Sequence, residues 1–268
     1  MASEPRLLAG IDPNRPSSAR IYDCFLGGTH NYAADRAVAA RAIELVPMLP
    51  QIMKANRAVL HRAVRLAAER GVRQFIDIGS GIPTEGNVHE VARTVQPGAR
   101  VVYADIEPTA VIHARAILGD DPGATVVQAD LQDARTILDN PDVRAVIDFS
   151  EPVCLLIIAV LHFIPDSPML TVALKRYRDA LPSGSYLTIT HATASARAEE
   201  LGIVSDLFNR TGTPLVYRDA GQVAAMFADW PLVEPGIVYG PLWRPEPEAA
   251  PVDDPASYLT LAGMARKP

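Results

Sequence analysis

The chain has 268 residues, of which 49% are hydrophobic and 21% are charged. This balance is typical of one globular α/β domain with an appendage and excludes a disordered or fibrous protein. The net charge of −6 argues against a protein that coats nucleic acid. No apolar run reaches the roughly 18 residues of a membrane span, and the N-terminal sequence lacks a signal-peptide pattern.

Cysteine and histidine are too sparse to indicate a disulfide framework or a metal site. Cys24 and Cys154 are far apart, and the six histidines form no pair at metal-ligand spacing. We therefore expect no metal and a cytoplasmic protein. Arginine greatly outnumbers lysine, a bias that is typical of GC-rich coding and indicates a bacterial source.

The predicted elements begin with two helices, over 33–46 and 51–70, and then alternate. The predicted strands are 74–78, 100–104, 125–128, 153–164 and 185–190. The helices predicted after them are 85–94, 108–118, 134–140, 169–180, 196–209 and 220–229. This alternation indicates a parallel sheet with helices on both faces. Since no helix fits between segments 232–243 and 257–268, we expect them to pair as an antiparallel hairpin.

A glycine-rich turn follows the first predicted strand, in the sequence FIDIGSGIPT over 75–84. Gly79 and Gly81 would let the backbone approach an adenosine-type ligand, although strand-to-helix geometry alone also explains them. Thr84 stands where a dinucleotide fingerprint has its third glycine, and Pro83 removes an amide donor. The turn therefore predicts a ligand without a pyrophosphate.

Acids stand at the ends of three successive predicted strands. Asp77 could accept hydrogen bonds from a ligand amine or from loop amides, and Asp105 could accept both hydroxyls of a ribose. Asp130, which is followed by the apolar Leu131, suits the amine of an adenine. The three acids predict one adenosine site at the carboxyl edge of the sheet.

These motifs together resemble a class I S-adenosylmethionine-dependent methyltransferase. The resemblance rests on FIDIGSGIPT, VVYADIEP, VVQADL, AVLHFI and the terminal hairpin. The chain also resembles, more narrowly, a bacterial family of presumed methyltransferases with unassigned substrates, through PSSARIYDCFLGGTHNYAADR, NRAVLHRAVR, GSGIPTEGNVHEVA and GMARKP. The resemblance implies a Rossmann-like seven-stranded, mostly parallel sheet with helices on both faces, a C-terminal antiparallel hairpin strand and an N-terminal helical cap. Residues 1–70 would cover the cofactor and 71–268 would form one methyltransferase unit.

The resemblance also implies S-adenosylmethionine as the cofactor and assigns residues to it. The expected binding set is Arg20, Gly28, Asp77, Gly79, Ser80, Gly81, Thr84, Asn87, Asp105, Ile106, Asp130, Leu131 and Val160. In this set Arg20 would meet the methionine carboxylate, Asp105 the ribose, and Asp130 with Leu131 the adenine. Thr84 and Asn87 would be polar contacts at the start of a helix.

The predicted catalytic residues are His162, as a general base or acceptor-pocket residue, and Tyr22, near the sulfonium. His30 and His191 are secondary candidates. A hydrogen-bonded histidine at the edge of the core also explains His162, and packing of the N-terminal helices also explains Tyr22 and Tyr32. Segment 27–31 is either a plain turn or the hinge of a lid.

The predicted reaction is methyl transfer from S-adenosylmethionine to an oxygen, nitrogen or carbon nucleophile of a small molecule. We expect no nucleic-acid or membrane partner, and the sequence allows a homodimer. Two alternatives stay open. One is a protein that binds the cofactor without catalysis, and the other is a nicotinamide-dependent oxidoreductase, against which Pro83 and the terminal hairpin count.

Overall fold

The computed structural model describes residues 8–83, 86–194 and 215–268. The strands in these ranges are β1 (Gln74–Ile78), β2 (Arg100–Asp105), β3 (Ala124–Gln128), β4 (Val153–Ile158), β5 (Tyr186–Ala192), β6 (Val238–Tyr239) and β7 (Thr260–Arg266). They form a seven-stranded sheet of order β3-β2-β1-β4-β5-β7-β6. Strands β1 to β5 are parallel, whereas β7 is antiparallel to both β5 and β6. The predicted mostly parallel sheet with a terminal hairpin is confirmed.

The helices in the described ranges lie on both faces of the sheet. They are α1 (Ser18–Leu26), α2 (Ala33–Leu45), α3 (Leu49–Glu69), α4 (Val88–Val95), α5 (Pro108–Leu118), α6 (Arg135–Leu138), α7 (Pro141–Val146), α8 (Pro168–Ala180) and α9 (Ala220–Ala225). One hydrophobic core joins α3, α4 and α5 to the sheet, and a second joins α6, α7, α8 and α9 to its other face. Among the described helices, none is both long and apolar enough to cross a membrane.

The central strands are buried on both faces, which explains their apolar sequences. Every residue of β1 and of β4 is buried, as in other sheets covered by helices on both sides. Side chains of β2 alternate between the two cores: Val101 and Tyr103 join one, and Val102 and Ala104 join the other. The sheet is therefore the middle layer of three.

The N-terminal helices form the cap that the resemblance implies. Helix α1 was not predicted as a helix; it ends at Gly27, a left-handed C-cap with φ of +80°. Its Ala19 packs against Ile82 and Ala110, which places α1 over the loop after β1. The boundary expected at residue 70 falls between α3 and β1, which share one core.

Several predicted boundaries differ from the structure. The apolar run predicted as a strand over 153–164 leaves the sheet after Ile158, because Ala159 has φ of +58° and Leu161–Phe163 form a 3-10 turn. The helix predicted over 134–140 is shorter, Arg135–Leu138, and a separate helix that was not predicted begins at Pro141. The helix predicted over 196–209 lies outside the described residues.

Candidate functional site

The predicted ligand site lies at the carboxyl edge of the sheet, where the strand order reverses between β1 and β4. Asp77 is the next-to-last residue of β1, and Asp105 is the last residue of β2. Asp130 follows the end of β3 closely. Because these strands are parallel neighbours, the structure brings the three predicted acids to one edge.

The turn after β1 requires glycine. Gly79 and Gly81 have φ of +71° and +62°, in the left-handed region that residues with a Cβ rarely adopt. A Cβ on Gly79 would lie 2.2 Å from Val160 Cγ2, so the turn contacts the segment after β4. The N–H groups of Gly79 and Ser80 donate to Ala104 O at 2.7 and 3.2 Å. The turn is therefore closely packed backbone between β2 and β4.

Asp105 is held in place by backbone amides. Its Oδ2 accepts a hydrogen bond from the N–H of Gly81 at 2.8 Å, and its Oδ1 accepts one from the N–H of Glu107 at 2.9 Å. Burial raises the pKa of Asp105, and these two donors lower it. Each oxygen keeps lone pairs that could accept ribose hydroxyls. The adjacent Ile106 is 60% exposed and offers an apolar surface to a ring.

Asp130 and Leu131 differ in what they can offer. Asp130 is half-buried, and its Oδ1 accepts a hydrogen bond from the N–H of Gln132 at 2.8 Å. Leu131 points its side chain into the core, and its carbonyl accepts a hydrogen bond from the Tyr177 hydroxyl at 3.0 Å. Asp130 therefore suits the predicted contact with an adenine amine, whereas the side chain of Leu131 is not placed to pack on the ring.

Asp77 is buried, and its carboxylate accepts no hydrogen bond from the part of the chain that the structure describes. Burial raises the pKa of Asp77 to about 7; the charge of Arg57 lowers it, and that of Asp105 raises it. A buried carboxylate without a donor costs free energy that a bound ammonium group would offset. This geometry fits the predicted contact with a ligand amine.

Helix α3 contributes two polar side chains that were not predicted. Asn56 donates from Nδ2 to the Tyr22 hydroxyl at 3.1 Å, but its buried Oδ1 has no partner among the described residues. Arg57 donates from Nη2 to Asn87 Oδ1 at 3.1 Å, and its buried Nε likewise has no partner there. The signal in the sequence was a polar residue at 56 on the apolar helix face that carries Ile52.

Tyr22 lies between α1 and α3. Its hydroxyl receives the hydrogen bond from Asn56 and lies 3.5 Å from Met53 O. Burial raises the pKa of Tyr22, the hydrogen bond from Asn56 and the charge of Arg57 lower it, and the charge of Asp77 raises it. Tyr22 thus packs the cap, and its contact with the sulfonium stays a prediction.

Arg20 is engaged in a buried ion pair. Its Nε lies 2.7 Å from Asp35 Oδ2, and the two side chains are 1% and 0% exposed. Its Nη2 donates to the carbonyls of Asp12 and Arg15, and the guanidinium lies over the Tyr32 ring at 5.2 Å. These contacts count against the predicted contact of Arg20 with the methionine carboxylate. They also place the Tyr32 ring against the guanidinium of Arg20.

Segment 27–31 is a turn organised by Asp23. A Cβ on Gly28 would lie 2.0 Å from Asp23 Oδ1, so the acid explains this glycine. Asp23 Oδ2 accepts hydrogen bonds from the N–H of His30 and from Asn31 Nδ2, both at 2.8 Å. The His30 ring lies against that of His113, with centroids 5.7 Å apart. Roles for Gly28 in cofactor binding and for His30 in catalysis stay predictions.

Asn87 precedes α4 as its N-cap. It donates from Nδ2 to Pro83 O at 3.1 Å, and its N–H donates to Glu90 Oε2 at 2.8 Å. Since its Oδ1 receives the hydrogen bond from Arg57, Asn87 orients that arginine. Thr84, the other predicted polar contact, lies outside the described residues.

His162 lies in the 3-10 turn after β4 and is 9% exposed. Its Nδ1 accepts a hydrogen bond from the N–H of Ala192 at 3.4 Å, which leaves the proton of the neutral ring on Nε2. Burial lowers the pKa of His162 to about 3, and the neighbouring His191 and Arg218 contribute. A neutral ring that presents a donor does not suit the predicted general base.

Arg218 joins the other groups of this turn into one network. It donates to the carbonyls of Leu161 and Ile164 at 2.9 and 2.8 Å, and it pairs with Asp166 at 2.7 Å. Its Nη1 lies 2.6 Å from His191 Nε2, and His191 Nδ1 lies 2.7 Å from the carbonyl of the next residue. Both nitrogens of His191 are therefore engaged, which counts against a role as a base. Arg218 was not predicted.

The polar groups around Asp77 and the acids Asp105 and Asp130 fit different parts of a ligand. Within the described ranges, no group of side chains has the composition of a metal site. The unpartnered polar atoms around Asp77 match the ammonium and carboxylate of an amino acid, and Asp105 and Asp130 match a ribose and an adenine. The residues present thus fit an adenosine that carries an amino acid.

Comparisons with known proteins show the family of the chain. Residues 5–268 match the model of the S-adenosyl methyltransferase family. A presumed methyltransferase from Thermobifida fusca YX is 42% identical, with 97% of each chain covered and a TM-score of 0.88. A DUF574 family protein from Streptomyces avermitilis MA-4680 is 38% identical, with 96% of this chain and 99% of that chain covered and a TM-score of 0.89.

A more distant structure shows the fold alone. It is an O-methyltransferase family protein from Burkholderia thailandensis, 13% identical, with 95% of this chain and 64% of that chain covered and a TM-score of 0.50. The comparison with curated proteins finds no match. From the family match and the two similar structures, the chain belongs to the S-adenosyl methyltransferase family and is an S-adenosylmethionine-dependent methyltransferase.

Proposed function

We propose that the protein transfers the methyl group of S-adenosylmethionine to an oxygen, nitrogen or carbon nucleophile of a small molecule. The observation that carries the proposed cofactor site is the carboxylate of Asp77, buried without a donor among the described residues at the point where the strand order reverses. The acidic chain, with a net charge of −6, favours a small acceptor over a nucleic acid.

The site residues divide the cofactor between them in this proposal. Asp105 accepts the ribose hydroxyls, Asp130 accepts the adenine amine, and Asp77 accepts the ammonium of the methionine part. Gly79 and Gly81 bring backbone close to the ligand, and Val160 closes the pocket from the side of β4. The chemistry supplied by the bound cofactor is an electrophilic methyl group on a sulfonium.

Helix α1, part of the N-terminal cap, covers this site in the proposal. The hydroxyl of Ser17 donates to Glu107 Oε2 at 2.6 Å, and the N–H of Ser18 donates to Glu107 Oε1 at 3.3 Å. Glu107 stands two residues after Asp105, so these bonds fasten the start of α1 to the tip of β2. A helix held in this position would exclude water and keep the reactants in line, which is what methyl transfer mainly requires.

His162 orients the acceptor in this proposal and does not remove its proton. Its neutral ring carries the proton on Nε2, because Nδ1 accepts the N–H of Ala192. The Nε2–H group can therefore donate a hydrogen bond to the methyl acceptor. We therefore expect an acceptor atom that is nucleophilic without deprotonation by His162.

The acceptor class is tested by following the methyl group. The full chain would be incubated with methyl-labelled S-adenosylmethionine and separated bacterial fractions of small molecules, proteins and nucleic acids. We expect label in the small-molecule fraction only, and a lower rate of labelling with Asp105→Ala when the cofactor is limiting. Label confined to protein or nucleic acid would contradict the small-molecule acceptor, and cofactor binding without transfer to any fraction would favour the binding-only alternative.

A further inference from the structure

We propose that α3 recognises the amino-acid end of the cofactor, with Arg57 binding its carboxylate and Asn56, together with Asp77, binding its ammonium. This inference rests on the proposed cofactor site and names residues of that site outside the glycine turn. It gives a function to part of the sequence NRAVLHRAVR, over 56–65.

The polar residues of this sequence have distinct partners. His61 Nε2 lies 2.7 Å from Gly86 O, so it fastens the loop that follows the glycine turn. Arg62 donates to the carbonyls after β6, and Arg65 pairs with Glu246 at the surface. These three side chains link α3 to other parts of the fold. Two polar atoms of the segment, on Asn56 and Arg57, are left buried without a partner in the described structure.

Arg57 has the geometry of a carboxylate ligand. Its Nη2 is fixed by Asn87 Oδ1 at 3.1 Å, while its buried Nε is unpartnered. Buried donors are nearly always hydrogen-bonded in native proteins, so an unpartnered one points to a ligand. A guanidinium held on one edge presents its remaining N–H groups in the planar arrangement that a carboxylate accepts.

Asn56 complements Asp77. It is 2% exposed, its Nδ2 is used by Tyr22, and its Oδ1 is a buried acceptor without a donor. An ammonium group offers three N–H donors, which the Asn56 amide oxygen and the Asp77 carboxylate can accept. The Tyr22 hydroxyl receives the hydrogen bond from Asn56, and the charges of Arg57 and Asp77 both shift its pKa, so the three side chains lie around one hydroxyl. Two acceptors and a guanidinium match the zwitterion of an amino acid. Arg20 cannot replace Arg57 because it is paired with Asp35.

The test is a calorimetric titration of the full chain with three ligands that differ at the amino-acid end. S-adenosylhomocysteine has both groups, S-adenosyl-3-thiopropylamine lacks the carboxylate, and 5′-methylthioadenosine lacks both. The variants are Arg57→Gln and Asn56→Ala. Arg65→Gln is the matched control, because it changes a surface arginine of the same helix.

We expect Arg57→Gln to lower the affinity for S-adenosylhomocysteine by about 10- to 100-fold, because a charge-assisted contact is lost. The affinities for the other two ligands should stay unchanged. Asn56→Ala should lower the affinity for both ligands that carry the ammonium and leave the affinity for 5′-methylthioadenosine unchanged. Arg65→Gln should change none of the three. If Arg57→Gln fails to fold, Arg57→Lys carries the same comparison, with a smaller selective loss for the carboxylate.

Two results would overturn the inference. An unchanged affinity for S-adenosylhomocysteine would remove Arg57 from the site, and an equal loss for all three ligands would make its role structural. Failure of the proposed cofactor site is a separate result, because the wild-type chain would then bind none of the three ligands.

Discussion

The two halves of the carboxyl edge differ in whether their polar groups are satisfied by the chain. Beside β1, a buried atom of Asn56 and one of Arg57 have no hydrogen-bond partner among the described residues, and the carboxylate of Asp77 accepts no hydrogen bond from a described residue. Beside β4 and β5, Arg218 and His191 are joined in a closed network. Buried polar groups are costly when unpaired, so we infer that the first half binds a polar ligand and that the network of the second half stabilises the fold.

The largest effect should come from opening the network of the second half. Arg218→Ala leaves the carbonyls of Leu161 and Ile164 and the Nε2 of His191 without their donor. We expect the free energy of unfolding to fall by about 2–4 kcal/mol, measured by urea denaturation. Arg144→Ala, at an exposed ion pair, should stay within about 0.5 kcal/mol of wild type. A change for Arg218→Ala as small as that would show that the network is not structural.

On the cofactor half, the effect should appear in binding. Asp105→Ala removes the proposed acceptor of the ribose hydroxyls, and we expect the affinity for S-adenosylhomocysteine to fall by about 1–3 kcal/mol. Calorimetry measures this, with Asp179→Ala as an exposed control. Equal affinity of Asp105→Ala and wild type would take Asp105 out of the site.

The unpartnered Asp77 should make the ligand-free protein less stable at high pH. Burial raises the pKa of Asp77 from the ordinary value of about 4 for an aspartate to about 7. Between these two pH values, the folded chain therefore holds a proton that the unfolded chain has lost. The free energy of unfolding therefore falls as the pH rises from about 4 to about 7. Asp77→Asn should flatten this dependence and stabilise the ligand-free protein at pH 8 by about 1–2 kcal/mol.

Urea denaturation of wild type and Asp77→Asn at pH 5 and at pH 8 measures whether the stability of wild type falls as the pH rises. A variant that is less stable than wild type at pH 8 would mean that the chain itself satisfies the carboxylate, and the difference between the two halves would disappear.

The smallest effect should come from His162→Gln. Glutamine keeps a side-chain donor, so the variant should retain the rate of methyl transfer within about tenfold if His162 only orients the acceptor. Loss of a general base would lower this rate by about 100-fold or more. The measurement is the rate of methyl transfer between pH 6 and 9 once the acceptor is identified. Since burial lowers the pKa of His162 to about 3, we expect no inflection from this residue there; a loss of 100-fold with an inflection would restore the base.

The sequence predicts those parts of the fold and site that depend on local pattern. The bounds of β1 and α5 agree with the predicted ranges, because an apolar run bounded by turn residues and a Pro-initiated helix are local signals. The acids at 77, 105 and 130 were located from the strand ends alone. Their common edge then follows from the parallel pairing of the strands.

The features that were missed depend on contacts between distant residues. Arg20 was expected at the ligand because its partner Asp35, on another helix, is not evident from spacing. The end of β4 was missed because Leu161 in the following turn is as buried as the strand, so hydrophobicity does not mark the boundary. The low pKa of His162 likewise arises from burial, which a single sequence does not measure.

The central claim, that the carboxylate of Asp77 receives the ammonium of the cofactor, is tested most directly by proton release on binding. S-adenosylhomocysteine would be titrated at pH 7 in two buffers of different ionisation enthalpy. With a pKa of about 7, the free carboxyl is about half protonated and must ionise to accept the ammonium. We predict that wild type releases a fraction of a proton per site and that Asp77→Asn releases none; equal release by both proteins would contradict the claim.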